Sequence, residues 1–210
     1  MKNIYLSLAF ILISVQMNLY AQNIKNKGNY NYQVREEEGD LNNDGKPDRI
    51  TVKMDTTDDT RPFRLQIFLS QPKGKKLTLA VSTTKIIEPQ YPVEKKGEPN
   101  GYQIPSFFIE NGILSMWSEI ERGNITYDFK YRNGNFELIH VEKLTTNATD
   151  GAITENTIFT VTKTNLVSGL RTETDDLLGS KKILNKRKKT VLFRPLPKIQ
   201  DFKFSDKKLF

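Results

Sequence analysis

The sequence predicts a mainly β protein, built from hairpins and a meander as a single antiparallel β-sandwich or partly closed barrel. Two observations support this fold class. Apolar and polar residues alternate with a period of two over most of the chain, and long apolar stripes with the 3.6-residue helical period are missing. Asn-Gly pairs, which suit the type I′ turn of a β-hairpin, separate apolar segments in the second half. The chain has no cysteine, so no disulfide contributes to its stability.

The first 21 residues have the pattern of a secretory signal peptide. Lys2 gives a charged start, residues 4–15 form an apolar run, and a small-residue exit ends at Ala21. The run is shorter than the roughly 17 to 25 apolar residues that span a bilayer, so we expect cleavage near Ala21 and no transmembrane segment afterwards. Without cysteine we expect no lipid anchor. The protein is therefore expected to be exported, either periplasmic or secreted.

The first half of the mature chain predicts three strands and one long loop. Residues 49–56 alternate after an acidic loop, and residues 63–70 and 77–83 are apolar segments joined by a glycine-containing connection of hairpin length. Between Ile86 and Gln103, three prolines and two glycines exclude a regular element. Long loops in compact domains are often functional, so this loop is a candidate binding surface.

The second half predicts four consecutive strands that form a meander: residues 106–110, 113–120, 125–132 and 135–143. The aromatic residues of this meander alternate with polar ones and are expected to face the core. A further strand is predicted at residues 153–163, a turn at 165–169 and a late strand at 190–193. We expect seven to nine strands in one β domain over residues 22–194, followed by a frayed tail at 195–210.

The most informative stretch is the acidic loop from Asp40 to Asp48, in which oxygen-bearing side chains fall on alternate positions around Gly45. Glycine can adopt the positive φ that a sharp bend needs, and calcium takes roughly six to eight oxygen ligands. The predicted Ca²⁺ ligands are the side chains of Asp40, Asn42, Asp44 and Asp48 and the carbonyl of Lys46. The alternative is a polar turn whose residues only suit tight backbone geometry.

The acidic loop is not an EF-hand, because its twelfth position is Thr51 rather than a bidentate Glu and its flanks are not helical in pattern. It resembles the calcium loops of FG-GAP and VCBS repeats, in which an Asp-x-Asn-x-Asp-Gly-x-x-Asp turn leads directly into a β-strand. Those families usually carry several copies, and this chain has one. With FFIENGILSMWSEI, ITYDFKYRNGNFELIHVEK and NLVSGL, the chain also resembles a group of uncharacterised exported bacterial proteins. This resemblance implies a calcium-stabilised β domain and no particular activity.

Candidate catalytic residues are few. His140 is the only histidine, and alternation places it on the same face as Phe136 and Leu138, so we expect a structural role. Five carboxylates lie on neighbouring predicted strands: Glu119, Glu121, Asp128, Glu137 and Glu142. Two of them could serve as the acid and base of a glycosidase, but cross-strand charge pairs explain them equally well. The sequence has no phosphate loop, dinucleotide fingerprint or zinc motif.

Positive charge is concentrated towards the C-terminus. Residues 22–170 carry 19 Lys and Arg against 20 Asp and Glu, whereas residues 171–210 carry 12 against 5. The densest parts of this basic tail are Lys181-Lys182 and residues 186–189. Such runs are solvated faces or bind polyanions by counterion release. We expect a solvated face here; if the run binds a partner in an exported protein, that partner should be anionic lipid or cell-surface polysaccharide and not nucleic acid.

Together these observations favour an exported, calcium-stabilised, non-enzymatic β domain. It would bind a ligand or envelope partner through the 86–103 loop or the basic tail. The first alternative is a glycan-directed hydrolase that uses paired carboxylates on the meander, and the second is a structural envelope protein. We assign no catalytic residues and no organic cofactor.

Overall fold

The computed structural model describes residues 28–71, 76–101, 103–148, 152–177 and 183–203. The predicted signal peptide lies outside them. Within these ranges the chain is mainly β, and a 3₁₀ turn at Val93–Lys95 is the one helical element. No helix in this part of the chain has the length and hydropathy needed to cross a membrane.

The first four strands form one antiparallel sheet in sequence order: β1 (Tyr32–Gly39), β2 (Asp48–Met54), β3 (Phe63–Leu69) and β4 (Thr78–Thr83). β2, β3 and β4 match the three predicted strands, and β3 alternates strictly between buried and half-buried residues. β1 is not among the predicted strands. Three consecutive glutamates at 36–38 interrupt the alternation of apolar and polar residues in this strand. β1 is also an edge strand, and Val34 is its one side chain that packs against the core.

The other strands form a seven-stranded antiparallel meander: β5 (Ser106–Glu110), β6 (Ile113–Ile120), β7 (Gly123–Arg132), β8 (Asn135–Thr146), β9 (Ile158–Asn165), β10 (Leu170–Leu177) and β11 (Ile183–Thr190). The predicted four-stranded meander is confirmed as β5 to β8. Its two Asn-Gly turns have positive φ at both residues, 52° and 71° at Asn111-Gly112 and 49° and 76° at Asn133-Gly134.

The C-terminal part of this sheet differs from the prediction. β10 and β11 are not among the predicted strands, and the late strand predicted at residues 190–193 is wrong because β11 ends at Thr190. Both strands consist largely of charged and polar residues. Pairing between Arg187 and the carboxylates of Glu173 and Asp175 connects them, a type of contact that apolar periodicity does not reveal. The described residues therefore contain eleven strands rather than seven to nine.

The two sheets pack face to face around one core. Ile50, Val52 and Leu65 from the first sheet and Tyr127 and Phe129 from the second are at most 1% exposed. Both sheets remain open, so of the two predicted architectures the sandwich is confirmed and the partly closed barrel is not.

The described part of the C-terminal tail, residues 195–203, packs into this core instead of fraying. Ile199 is fully buried and Phe202 is 2% exposed. The Ile199 N–H donates to the carbonyl of Phe136 at 2.9 Å, and the Leu138 N–H donates to that of Pro197 at 2.8 Å. The tail thus continues the structure beside the start of β8; residues 204–210 lie outside the described ranges.

The aromatic residues of the meander do not all face the core. Phe107, Tyr127, Phe129 and Phe136 are at most 2% exposed, whereas Phe108 is 57% exposed. Consecutive strand residues point to opposite faces, so β5 can bury only one of its two phenylalanines. The expectation of a common core face is therefore wrong for Phe108.

Candidate functional site

The acidic loop between β1 and β2 is closed by its own side chains. Asp40 accepts the N–H of Asp44 through Oδ1 at 3.1 Å and the N–H of Gly45 through Oδ2 at 2.8 Å. The amide oxygen of Asn42 accepts the same Asp44 N–H at 3.0 Å. Oxygens of Asp40 and Asn42 therefore converge on one backbone nitrogen. Gly45 has φ 79°, so the predicted bend with positive φ is confirmed.

Asp44 connects the loop to the end of β3. The Ser70 hydroxyl donates to its Oδ2 at 2.7 Å, and the Lys46 N–H donates to its Oδ1 at 3.0 Å. These bonds, the Ser70 hydroxyl foremost, hold the pKa of Asp44 below its ordinary value. Asp44 is thus kept as a carboxylate, the form that a cation requires.

Asp48 has a different environment from the other loop carboxylates, because it is fully buried. Its Oδ2 accepts the N–H groups of Leu41 at 2.8 Å and Asn42 at 3.3 Å, and its Oδ1 accepts the N–H of Ser70 at 2.7 Å. One carboxylate thus fastens both the start of the loop and the end of β3. This anchoring role was not evident from the sequence, which suggested only a ligand.

The donor set of the loop matches calcium in chemistry and order, with hard oxygen atoms on alternate residues around a glycine. The Lys46 ammonium donates to the carbonyl of Gln71 at 2.9 Å, so its charge is held by a group outside the loop. In this structure the loop carboxylates accept backbone N–H groups. The described residues contain no group of three or more His, Asp or Glu side chains at metal-binding spacing.

The acidic loop also touches the second sheet. A Cβ on Gly112, in the β5–β6 turn, would lie 2.6 Å from the Asn43 side-chain oxygen, and a Cβ on Gly39 would lie 2.6 Å from Cγ2 of Ile109. Gly39 leaves no room for a side chain, because the Cβ of Ile109 would also lie only 2.8 Å away, whereas the exposed end of Asn43 could move aside at Gly112. The loop therefore packs closely on the β5–β6 hairpin, and order in the loop is coupled to the packing of the two sheets.

A cleft of about 1130 Å³ lies between the sheets near the start of β1, whereas the acidic loop follows the end of that strand. The predicted functional loop contributes Ile87, Glu88, Gln90, Glu94, Asn100 and Gln103 to its lining. Tyr32, Val34 and Met54 come from the first sheet, and Ser118 and Ile120 from the second. A volume of this size is at the upper end of small-molecule sites, which run to roughly 1,000 Å³.

The walls of the cleft are apolar, and charged groups surround them. Val34, Met54, Ile104 and Ile120 are half-buried and pack against the core while lining the cleft. Glu88, Glu94, Glu119, Glu121, Arg35 and Lys143 also line it. This combination of apolar surface with a few polar groups is the usual composition of a small-molecule site.

Internal hydrogen bonds hold the loop above the cleft. The Asn100 side-chain amide, on a residue that is 9% exposed, donates to the carbonyl of Pro89 at 2.9 Å. The Lys95 ammonium donates to the carbonyl of Asn100 at 2.7 Å. The cleft is therefore bordered by a loop with a defined conformation. A pre-formed site of this kind avoids part of the entropic cost of binding.

His140 hydrogen-bonds to Asp128, but it does not share a face with Phe136 and Leu138 as alternation suggested. Asp128 pairs with His140 while Phe129 pairs with Leu138, so β8 carries a bulge at Ile139 that reverses the facing of later residues. The His140 Nδ1 lies 3.0 Å from Asp128 Oδ2, and the Ser115 hydroxyl donates to Asp128 Oδ1 at 2.7 Å. The carboxylate lies between the other two groups, which is not the order of a nucleophilic triad.

The five meander carboxylates separate into two groups. Asp128 is engaged by His140, Glu137 lies 3.9 Å from Arg132, and Glu142 lies 2.9 Å from Lys163. The contact of Glu137 with Arg132 is one of the cross-strand charge pairs that the sequence predicted, and Glu142 forms a similar pair with Lys163. Glu119 and Glu121 line the cleft, and Glu121 also lies 3.8 Å from Arg122.

The basic run does not belong to an unstructured tail. Residues 186–189 lie in β11, the edge strand of the second sheet, and every residue of β11 is exposed. Lys181 and Lys182 lie outside the described residues. The densest described part of the basic tail is therefore fixed along a sheet edge.

No protein-family model, curated protein or solved structure matches the chain. A function can therefore be inferred only from the cleft, the acidic loop and the edge strand. Sequence reasoning found the 86–103 loop but missed the apolar residues opposite it, Val34, Met54 and Ile120. These come from three strands far apart in sequence, and no local pattern brings them together.

Proposed function

We propose that this protein is an exported, calcium-stabilised β domain without enzymatic activity that binds a small apolar or amphipathic ligand in the cleft between its sheets. The observation that carries the proposal is the cleft itself, with half-buried aliphatic walls beneath a hydrogen-bonded loop. Aliphatic surface that is left accessible inside a concavity gains free energy when a ligand removes it from water. Export and calcium binding rest on the N-terminal and acidic-loop sequences.

A charged side chain on the cleft wall should weaken ligand binding strongly. The protein should bind the apolar fluorescent probe N-phenyl-1-naphthylamine, and Ile104→Asp should weaken binding on the order of tenfold or more, because a carboxylate in an apolar wall loses hydration on ligand entry. Gln103→Trp, at an exposed position that also lines the cleft, should weaken binding by filling space. Fluorescence titration measures both effects.

The matched control is Leu79→Asp, a similar change at a residue of β4 that is 48% exposed and does not line the cleft. It should bind the probe like wild type. Thermal melts establish that each variant is folded. The cleft would be refuted as the ligand site if the wild-type protein did not bind the probe. It would also be refuted if both cleft variants bound the probe as tightly as wild type does.

Because Glu119 and Glu121 line the cleft, a glycan-directed hydrolase is retained as the second candidate function. The two functions differ in turnover. If the protein only binds a ligand, it should release no reducing sugar from a panel of cell-wall and plant polysaccharides. Activity that disappeared in both Glu119→Gln and Glu121→Gln would instead assign the cleft to catalysis.

Calcium should stabilise the fold through the acidic loop. The melting temperature should fall in EDTA and recover more fully with calcium than with magnesium, because a ligand that binds only the native state stabilises it by linkage. Asp44→Ala should remove the calcium-dependent part of the melting temperature. Differential scanning calorimetry with each cation measures the effect.

Asp58→Ala is the matched control for Asp44→Ala. Asp58 also lies exposed in a turn and accepts a hydroxyl and a backbone N–H, both from Thr60, at 2.6 Å and 2.8 Å. This variant should keep the full response to calcium. If Asp44→Ala responded to calcium as wild type does, the acidic loop would be a polar turn and not a cation site.

A further inference from the structure

A second pocket, of about 250 Å³, lies on the β10–β11 hairpin and shares no lining residue with the cleft. It is lined by Arg171, Glu173, Arg187, Lys188 and Lys189. Four of these five residues are basic. The strand register explains the grouping, because Arg171 pairs with Lys189, and Glu173 with Arg187, on the two neighbouring strands.

The acidic groups near this pocket share one arginine. Arg187 donates through Nε to Glu173 at 2.9 Å and through Nη1 and Nη2 to the two oxygens of Asp175 at 2.8 Å and 3.0 Å. One guanidinium thus engages both carboxylates. Arg171, Arg187, Lys188 and Lys189 carry four positive charges against the two negative charges of Glu173 and Asp175, so the pocket has an excess of positive charge.

Arg171 has donor capacity that the described residues do not use. Its Nε is buried and makes no hydrogen bond within them, although its side chain is 22% exposed. Its Nη2 forms an ion pair with Glu173 at 3.8 Å, which is longer than a hydrogen bond. Buried donors are normally satisfied, and a guanidinium fork matches the oxygens of a phosphate group.

Exposed aliphatic side chains lie directly beside this pocket. Val167, Leu170 and Leu192 are 44%, 45% and 67% exposed. They cluster at one end of the hairpin: Leu170 precedes Arg171, and a Cβ on Gly169 would lie 2.6 Å from Cδ2 of Leu192. Arg194 fixes the segment by donating to the carbonyl of Val167 at 2.6 Å. Aliphatic groups at a loop tip next to cations are typical of surfaces that enter the interface of an anionic bilayer.

We propose that this end of the sandwich docks on an anionic phospholipid membrane. Val167, Leu170 and Leu192 enter the headgroup boundary, and the pocket beside Arg171 and Lys189 receives a lipid phosphate. Lys188 pairs with Thr172, so its side chain lies on the opposite face of the hairpin and adds to the positive charge of this end. Charge complementarity selects the anionic lipid, and the adjoining aliphatic cluster favours a bilayer over a soluble polyanion. This docking surface is separate from the cleft, so membrane attachment and ligand binding can be tested independently.

The test is co-sedimentation of the protein with vesicles of neutral phosphatidylcholine alone or with about a third phosphatidylglycerol. The protein should bind the anionic vesicles and not the neutral ones. The double variant Lys188→Gln with Lys189→Gln should lower the partition coefficient on the order of tenfold or more, at about fivefold for each cation. Leu192→Ser, at the most exposed position of the cluster, should also lower it several-fold.

The matched control combines Lys85→Gln and Leu79→Ser, both at exposed residues outside the pocket and the aliphatic cluster. It should bind vesicles like wild type. Equal binding to neutral and anionic vesicles, or unchanged binding by both patch variants, would overturn the proposal. Binding to an anionic polysaccharide column that is sensitive to Lys188 and Lys189, without vesicle binding, would also overturn it. Full release from vesicles by millimolar inorganic phosphate would assign the pocket to the free anion.

Discussion

Replacing Asp48 with alanine should lower the free energy of unfolding by about 3 kcal/mol or more, because each hydrogen bond to a charged group contributes roughly 1.5 to 3 kcal/mol. The buried carboxylate accepts the N–H groups of Leu41, Asn42 and Ser70. Alanine would leave these donors without an acceptor at a site where Leu41 is 1% and Asp48 0% exposed. Urea denaturation of the two proteins measures the difference.

The measurement should be made in EDTA, so that a lost cation ligand and a lost structural anchor are distinguished. Under these conditions the deficit of Asp48→Ala should persist. Asp40→Ala is the matched control, since Asp40 accepts two N–H groups of the same loop but from the exposed residues Asp44 and Gly45. Water can replace it there, so its cost should be clearly smaller. Equal stability of Asp48→Ala and wild type in EDTA would contradict the anchoring role.

The sequence predicted those strands well whose own residues, or the turns next to them, show a clear β pattern. β3 alternates between apolar and polar residues without interruption, and the Asn-Gly turns at 111–112 and 133–134 specify the hairpins on either side of them. Both signals are local. Alternation within one strand indicates which of its faces is buried, and an Asn-Gly pair favours the positive φ angles of the turn that it forms. The meander could therefore be recognised from short windows.

Where the prediction was wrong, the deciding contacts were between strands. β10 and β11 depend on Arg187 meeting Glu173 and Asp175, residues 12 to 14 positions away. The bulge at Ile139 reverses the facing of His140, and the carbonyl of Ile139 accepts the Leu166 N–H at 2.8 Å. A one-residue bulge shifts every later side chain to the other face, and alternation alone cannot reveal it.

For the candidate sites, the sequence indicated which segments matter and the structure showed what they adjoin. The acidic loop was recognisable because its pattern is contiguous, yet the partnership of Asp44 and Asp48 with Ser70 was not. The cleft needed Val34, Met54 and Ile104 from three segments. The proposed ligand site thus depends on the same packing that holds the two sheets together.

Replacing Phe202 with alanine should cost about 3 to 5 kcal/mol of unfolding free energy, the usual range for removing a buried phenylalanine. Its ring lies 5.3 Å from that of Tyr127 and 6.0 Å from that of Phe129, both in edge-on arrangements. Aromatic pairs of this geometry add to the free energy of burial. A chain terminus expected to fray therefore completes the core, and chemical denaturation followed by tryptophan fluorescence measures its contribution.

Phe108→Ala is the matched control, since it removes the same side chain from a position that is 57% exposed. Surface substitutions usually change stability by no more than about 0.5 kcal/mol, so this variant should unfold nearly as wild type does. A small effect at Phe202 would mean that residues 195–203 rest on a core that is stable without them. A large effect would mean that the C-terminal segment is part of the unit that folds cooperatively. The loss of stability would arise because Tyr127 and Phe129 lose the ring that packs against them.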